Sequence, residues 1–195
     1  MEATDDQALV RLARDGDRTA CEELFLKHRS VAYSVAYRLL GNESDALDAV
    51  QDGLLKAFLG LENFDGRSVF RTWLVTIVTN AALDLGRKRG RRAALGLGVG
   101  AGHGSPRDDE ESGPAEPAVE SDPTVGLHRE DLRRILDAAL DRLSLPVRTT
   151  FVLFAEAGLS YKEIAESQGV PIGTVMSRLH YARQKLQSVI DVNHL

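Results

Sequence analysis

With 195 residues, 43% of them hydrophobic and 27% charged, the chain is long enough for one or two small domains with real cores and has the balance of a soluble protein. Its single cysteine, Cys21, excludes a disulfide framework or a thiolate metal site within one chain; no apolar run approaches the roughly 20 residues of a membrane span, and Met1–Asp6 is too polar for a signal peptide, so a cytoplasmic location is expected. The formal charge of −5 weighs against nucleic acid only as a sum: between Ala93 and Gly126 seven acids face the single base Arg107, a local −6 that leaves the rest of the chain at +1.

In chain order, Asp5 or Asp6 is placed to cap a first helix whose apolar stripe is Ala8, Leu9, Leu12 and Ala13, and Gly16-Asp17 interrupts it. A second helical pattern runs from Ala20 to Leu40, with Leu24, Phe25, Val31, Ala32, Val35, Ala36 and Leu39 at helical spacing. Gly41-Asn42 ends it, and Asn42 or Ser44 caps a third helix, Asp45 to Leu61, with Leu47, Val50, Leu54, Phe58 and Leu61 on its buried face. Asn63 to Arg67 reads as a turn.

The stretch from Phe64 to Arg92 is then the most telling. Phe70, Leu74, Ile77, Ala81 and Leu85 make one apolar helix face, while Thr72, Thr76, Thr79 and Asn80 fall on another and Trp73 sits at the seam. Arg87, Lys88, Arg89, Arg91 and Arg92 close the segment. Short hydrogen-bonding side chains leading into five cations suit a helix lying along nucleic acid, because polar groups address base edges and cations neutralise phosphates. A core helix with a solvated basic end is the blander reading of the same residues. Four helices with short connections and no strand pattern give an α-helical domain over 1–92.

Residues 93–126 change character, with LGLGVGAGHG followed by acids among Pro106, Pro114, Pro117 and Pro123. Too little apolar surface is available to offset ordering entropy, so this segment is expected to be a flexible linker reaching about 110 Å when extended. A second helical domain, 127–195, follows. Leu132, Ile135, Leu136, Ala139, Leu140 and Leu143 pattern one helix; Pro146 opens another that Gly158 stops. Ser160 and Glu163 form a capping box for Tyr161–Gln168, Gly169 turns the chain, and Pro171–Val189 is the last helix.

Ala165, Gly169 and Val175 stand at helix-turn-helix offsets: a small residue at the crossing, a glycine where φ is positive, and an aliphatic anchor. Thr174, Met176, Ser177, Arg178, His180, Tyr181 and Arg183 then form an exposed set suited to major-groove edges and phosphates, with Ser160 at the start of the motif. A helical hairpin packing on a partner protein has the same offsets. Upstream, Asp45, Asp48 and Asp52 recur at i, i+3 and i+7 beside Gln51, which puts three carboxylates on one face. They read as a solvated face, as a dock for a basic partner, or as metal ligands, although no histidine is nearby in sequence.

Taken together, DALDAVQDGLLKAF, FDGRSVFRTWLVTIVTNAALDLGRKR and GLSYKEIAESQGVPIGTVMSRLHYARQKL resemble the two conserved domains of an extracytoplasmic-function (ECF, group 4, sigma-70 family) RNA polymerase sigma factor. The resemblance implies an all-α protein in which sigma region 2 and sigma region 4 are joined by the linker. It implies that the first domain docks on the β′ clamp helices of core RNA polymerase through Asp45, Asp48, Gln51 and Asp52 and opens the −10 element. Phe64, Arg67, Ser68, Arg71, Trp73, Thr76, Asn80, Arg87, Lys88 and Arg89 are the candidate −10 contacts, with Asn80 for a base and the cations for phosphates. The second domain would bind the −35 element and the β flap. Leu47 and Ala49 depart from the docking pattern, and Met176 and Tyr181 stand where the family often has cations. An anti-sigma factor is a further partner the resemblance implies. The expected function is therefore promoter recognition without enzymatic chemistry or cofactor; a free-standing helix-turn-helix regulator with an N-terminal sensing domain is the alternative.

Overall fold

The computed structural model describes residues 2–94 and 134–193, and among these all regular structure is helical. The predicted linker lies almost wholly outside the described residues, as does Leu132. Helix α1 spans Glu2–Arg14, α2 Arg18–Leu40 and α3 Glu43–Gly60; a 3-10 turn at Leu61–Asn63 leads through a loop to α4, Phe70–Ala94. A helical stretch over 134–141 (α5) precedes α6, Leu145–Ala155, α7, Tyr161–Gln168, and α8, Ile172–Asn193.

Local chemistry sets these boundaries. Asp17 accepts the Ala20 amide at 3.1 Å to start α2, and Gly41, at φ 73°, returns its N–H to Tyr37 at 2.8 Å to end it. Asn42 accepts the Asp45 amide at 2.9 Å to start α3. Asp6 caps nothing: it lies inside α1, buried, 2.9 Å from His28 Nε2 and 2.8 Å from Lys27 Nζ, which fastens α1 to α2. The α1 stripe is also displaced, with Leu9 and Val10 buried and Leu12 exposed.

Helices α2, α3 and α4 enclose the first core, in which Leu24, Val35, Leu74, Val75 and Val78 are fully buried. The face of α3 that enters it is Ala46, Ala49, Val50, Gly53 and Ala57. This corrects the expectation for Leu47 and Phe58, which are 37% and 57% exposed. The reason is close packing. A Cβ on Gly53 would lie 2.6 Å from Val78 Cγ2 and 3.0 Å from Val78 Cα, so the helices approach through small residues and the larger ones are turned outward.

The second half builds on α8, against which α6 and α7 pack, with a small satellite cluster of Ala139, Leu140, Leu143, Ala182 and Leu186. Its other face continues the first core: Val152, Leu153, Ala157, Leu159 and Ile164 belong to the same buried apolar cluster as α2 and α4. Arg38 of α2 adds a polar tie, pairing with Asp137 and, at 3.1 Å, with Glu156. Burial weakens the Arg38 cation, but the two carboxylates outweigh that and hold its pKa above the usual value.

Candidate nucleic-acid interface

The loop between the 3-10 turn and α4 is folded around an aromatic cluster. Phe64 lies tilted against Trp73 with centroids 5.0 Å apart and meets Phe70 edge-on at 5.9 Å; Phe70 and Trp73 are 5.7 Å apart. Phe64 is buried, so its ring anchors the loop and is not offered to a base, contrary to expectation. Trp73 is half-buried in the same cluster, which assigns it to packing in this arrangement. What the loop does present is Arg67, exposed and paired with Asp65, and Ser68 at the edge of a 370 Å³ pocket that Arg11 and Arg14 also line. Hydrogen bonds from Arg67 hold the Asp65 carboxyl below its ordinary value.

Along α4 the polar row divides. Thr76 donates to the Thr72 carbonyl at 2.7 Å, so its hydroxyl is committed to its own helix. Asn80 is exposed, at the rim of a 340 Å³ cleft. Thr72 and Thr79 are buried, and Thr72 donates to Glu163 of α7 at 2.6 Å. At the basic end Arg87 pairs with Asp84 at 3.0 Å and Arg89 with Asp45, while Lys88 and Arg91 are exposed without an ion-pair partner among the described residues.

The expected row of three carboxylates on α3 is two. Asp45 is 2% exposed, bonded to Asn42 Nδ2 at 2.9 Å and paired with Arg89. Its place at the head of α3, facing α4, removes it from the outer surface. Asp48, Gln51 and Asp52 are exposed, Asp52 pairing with Lys56 at 2.7 Å. They share the outer face with Leu47, Leu55, Phe58 and Leu59, all exposed. The signal for these apolar contributors was present in the sequence, since α3 carries more large apolar residues than one buried stripe can hold. Among the described residues, no group of three or more His, Cys, Asp or Glu is placed to hold a metal ion.

The C-terminal motif has the geometry its spacing predicts. The Ser160–Glu163 capping box is complete, Gly169 has φ 63°, and the Gly169 and Val170 amides return to α7 carbonyls, Val170 to Ala165 at 3.0 Å. Ser160 spends its hydroxyl in that box, donating to Glu163 at 2.7 Å. On α8, Met176, Ser177, His180, Tyr181 and Arg183 are exposed and Val175 and Leu179 are buried beneath them. Arg183 lies 5.4 Å over the Phe154 ring, and Lys185 5.8 Å over Tyr181. Thr174 and Arg178 are half-buried; Arg178 donates to Gln168 at 2.8 Å and faces the cleft beside Asn80.

Residues 24–92 match the family model for sigma-70 region 2, and residues 133–186 match that for sigma-70 region 4. The ECF RNA polymerase sigma factor SigE of Mycolicibacterium smegmatis is 35% identical over 189 residues, 97% of this chain and 65% of that protein. The ECF RNA polymerase sigma-E factor of Haemophilus influenzae is 32% identical over 198 residues, 95% of each chain. Among solved structures, CnrH in complex with the cytosolic domain of CnrY is 30% identical with a TM-score of 0.66, covering 96% of this chain and 98% of that one. The sigma factor RpoE in complex with the anti-sigma factor NepR from Bartonella quintana is 30% identical with a TM-score of 0.67, covering 88% and 96%. The chain thus spans about two thirds of the mycobacterial relative and nearly all of the others.

Proposed function

We propose, for a chain that belongs to the extracytoplasmic-function group of sigma-70 family RNA polymerase sigma factors, that it directs core RNA polymerase to specific promoters in the cytoplasm, as a binding subunit without chemistry of its own. The observation that carries this reading is the outer face of α3. Leu47, Leu55, Phe58 and Leu59 stand exposed beside Asp48 and Asp52, outside the face of α3 that enters the core, and this combination suits an amphipathic basic helix. Core polymerase, through the β′ clamp helices, is the partner assigned to it. Both halves match sigma regions in the expected order, which leaves a free-standing regulator without support.

In this reading region 2 opens and holds the −10 element. Asn80 reads a base, Arg67 and Ser68 act from the loop, and Arg71, Arg87, Lys88 and Arg89 hold phosphates. Region 4 places α8 in the major groove of the −35 element, with Thr174, Met176, Ser177, Arg178, His180, Tyr181 and Arg183 at base edges or phosphates, and meets the β flap. The exposed apolar face of α3 also suits an anti-sigma factor, the kind of partner in the RpoE–NepR structure. Transcription of genomic DNA by core polymerase with and without the purified chain, followed by start-site mapping, tests the proposal. Defined start sites that require the chain are expected; random initiation in both reactions defeats it.

A further inference from the structure

We infer that α8 reads the −35 element through thymine methyl groups, with Met176 and Tyr181 as the side chains that contact them. This rests on the reading of α8 as the −35 helix and names the class of sequence it takes, one specified by T·A pairs. A recognition helix meets base edges with the half that follows the turn. In that half Ile172, Met176 and Tyr181 are 50%, 53% and 46% exposed, and none of the three belongs to either buried apolar cluster. Met176 and Tyr181 flank Ser177 and His180 on the side of the helix turned away from buried Val175, Leu179 and Ala182. Apolar surface is therefore what α8 offers to a groove.

Guanine would need a different side chain. In the major groove it is read by Arg or Lys donating to O6 and N7. The two arginines of α8 are engaged elsewhere. Arg178 is half-buried and donates to Gln168 at 2.8 Å. Arg183 lies 5.4 Å over the Phe154 ring and donates to the Tyr161 hydroxyl at 3.4 Å, which draws it back onto α6 and α7. Lys185, 5.8 Å over the Tyr181 ring, stands a turn further along, where it suits a phosphate. Polar readout is thin as well. Ser177 donates its hydroxyl to the Thr174 carbonyl at 2.9 Å, which leaves the His180 imidazole as the polar edge between the two apolar side chains. At Gly173 a Cβ would meet nothing within 4 Å, so the bare backbone there lets the helix lie close to the bases. The C5 methyl of thymine is the apolar group a base pair shows in the major groove, and it takes an apolar partner.

The test begins with selection of duplexes from a random-sequence library by the full chain, alone and bound to core polymerase, at low salt. The enriched duplex is then remade with deoxyuridine for each thymidine in turn, which removes only the C5 methyl, and with 7-deazaguanine for each guanine, which removes N7. Deoxyuridine is expected to weaken binding about three- to fivefold at two or more positions. 7-Deazaguanine should change it less than about twofold. Met176→Ala and Tyr181→Ala should each lose the methyl effect at one position and keep it at the other, a pattern that a general loss of folding does not produce. The proposal is overturned by a library without enrichment, by deoxyuridine tolerated throughout, by a roughly tenfold cost of 7-deazaguanine, or by variants with undiminished methyl sensitivity. Start-site mapping separates the two readings. Defined initiation with methyl-indifferent binding keeps the promoter function and loses the methyl reading; methyl-dependent binding without polymerase-dependent start sites does the reverse.

Discussion

Asp45 and Arg89 form an ion pair across the junction of α3 and α4, the carboxylate buried and the guanidinium half in solvent. Asn42 shares that carboxylate, so one acid joins a helix cap, a helix start and the basic end of α4. Asp45→Ala is therefore expected to act on stability, by about 1–2 kcal/mol, less than for a fully buried pair because Arg89 can hydrate. Thermal melting checks this, and a melting temperature equal to the parent's would contradict it.

Asp48 and Asp52 should behave in the opposite way. Both are exposed, and the Asp52–Lys56 pair is an exposed i,i+4 contact worth about 0.3–0.5 kcal/mol. The double change Asp48→Ala with Asp52→Ala should leave melting nearly unchanged and weaken core polymerase binding about tenfold or more. Phe58→Ala should weaken it similarly, since an exposed ring has little to lose in folding and much in docking. Titration of labelled core polymerase measures both.

Asn80→Ala should separate the two DNA functions. Open-complex formation, read by permanganate reactivity, should fall several-fold, while a mobility shift on −35 duplex stays within about twofold. Equal loss in both assays would assign Asn80 to the fold and not to a base.

Gly53→Ala tests the α3–α4 approach. The added methyl would meet Val78 at its backbone as well as its side chain, so the helices must part, at a cost of about 1–3 kcal/mol. Gly90, where a Cβ meets nothing, is the control, and Gly90→Ala should be neutral or slightly stabilising.

Acid should loosen the packing of α7 on α4. Burial pushes the Glu163 carboxyl upward, but hydrogen bonds from Thr72 and Ser160, with the nearby Arg71 cation, outweigh it and hold the pKa below the usual value. The Thr72 and Arg71 contributions come from α4 and reach Glu163 of α7. A carboxyl depressed by that contact stabilises the packing of α7 on α4 above the ordinary carboxylate range, and that support is lost as pH falls through the depressed value. Small-angle scattering should show the parent expanding on acidification in this range, with a flatter response in Glu163→Gln.

Helix order, the caps at Gly41, Asn42, Ser160 and Gly169, and the helix-turn-helix were legible because each rests on local spacing, whereas the Asp17 cap of α2 emerged only from the structure. Asp45, Leu47 and Phe58 were placed on the wrong side of α3 because hydrophobicity alone does not reveal that small residues form the contact ridge. Only the partner helix does, through Val78 against Gly53. Arg38, Thr72 and Glu163 carried no signal as a group: the contacts they make span 91 to 118 residues of sequence. Phe64 was misread for a related reason. An aromatic residue in a loop looks available until the ring beneath it is known.

That ring belongs to Trp73, the only tryptophan in the chain, and it rests on the first residue of the recognition loop. If the loop takes hold of a strand as proposed, any repositioning of Phe64 changes the polarity and ring contacts around one indole. Its emission therefore reports engagement directly, in an unlabelled protein, on the timescale of mixing.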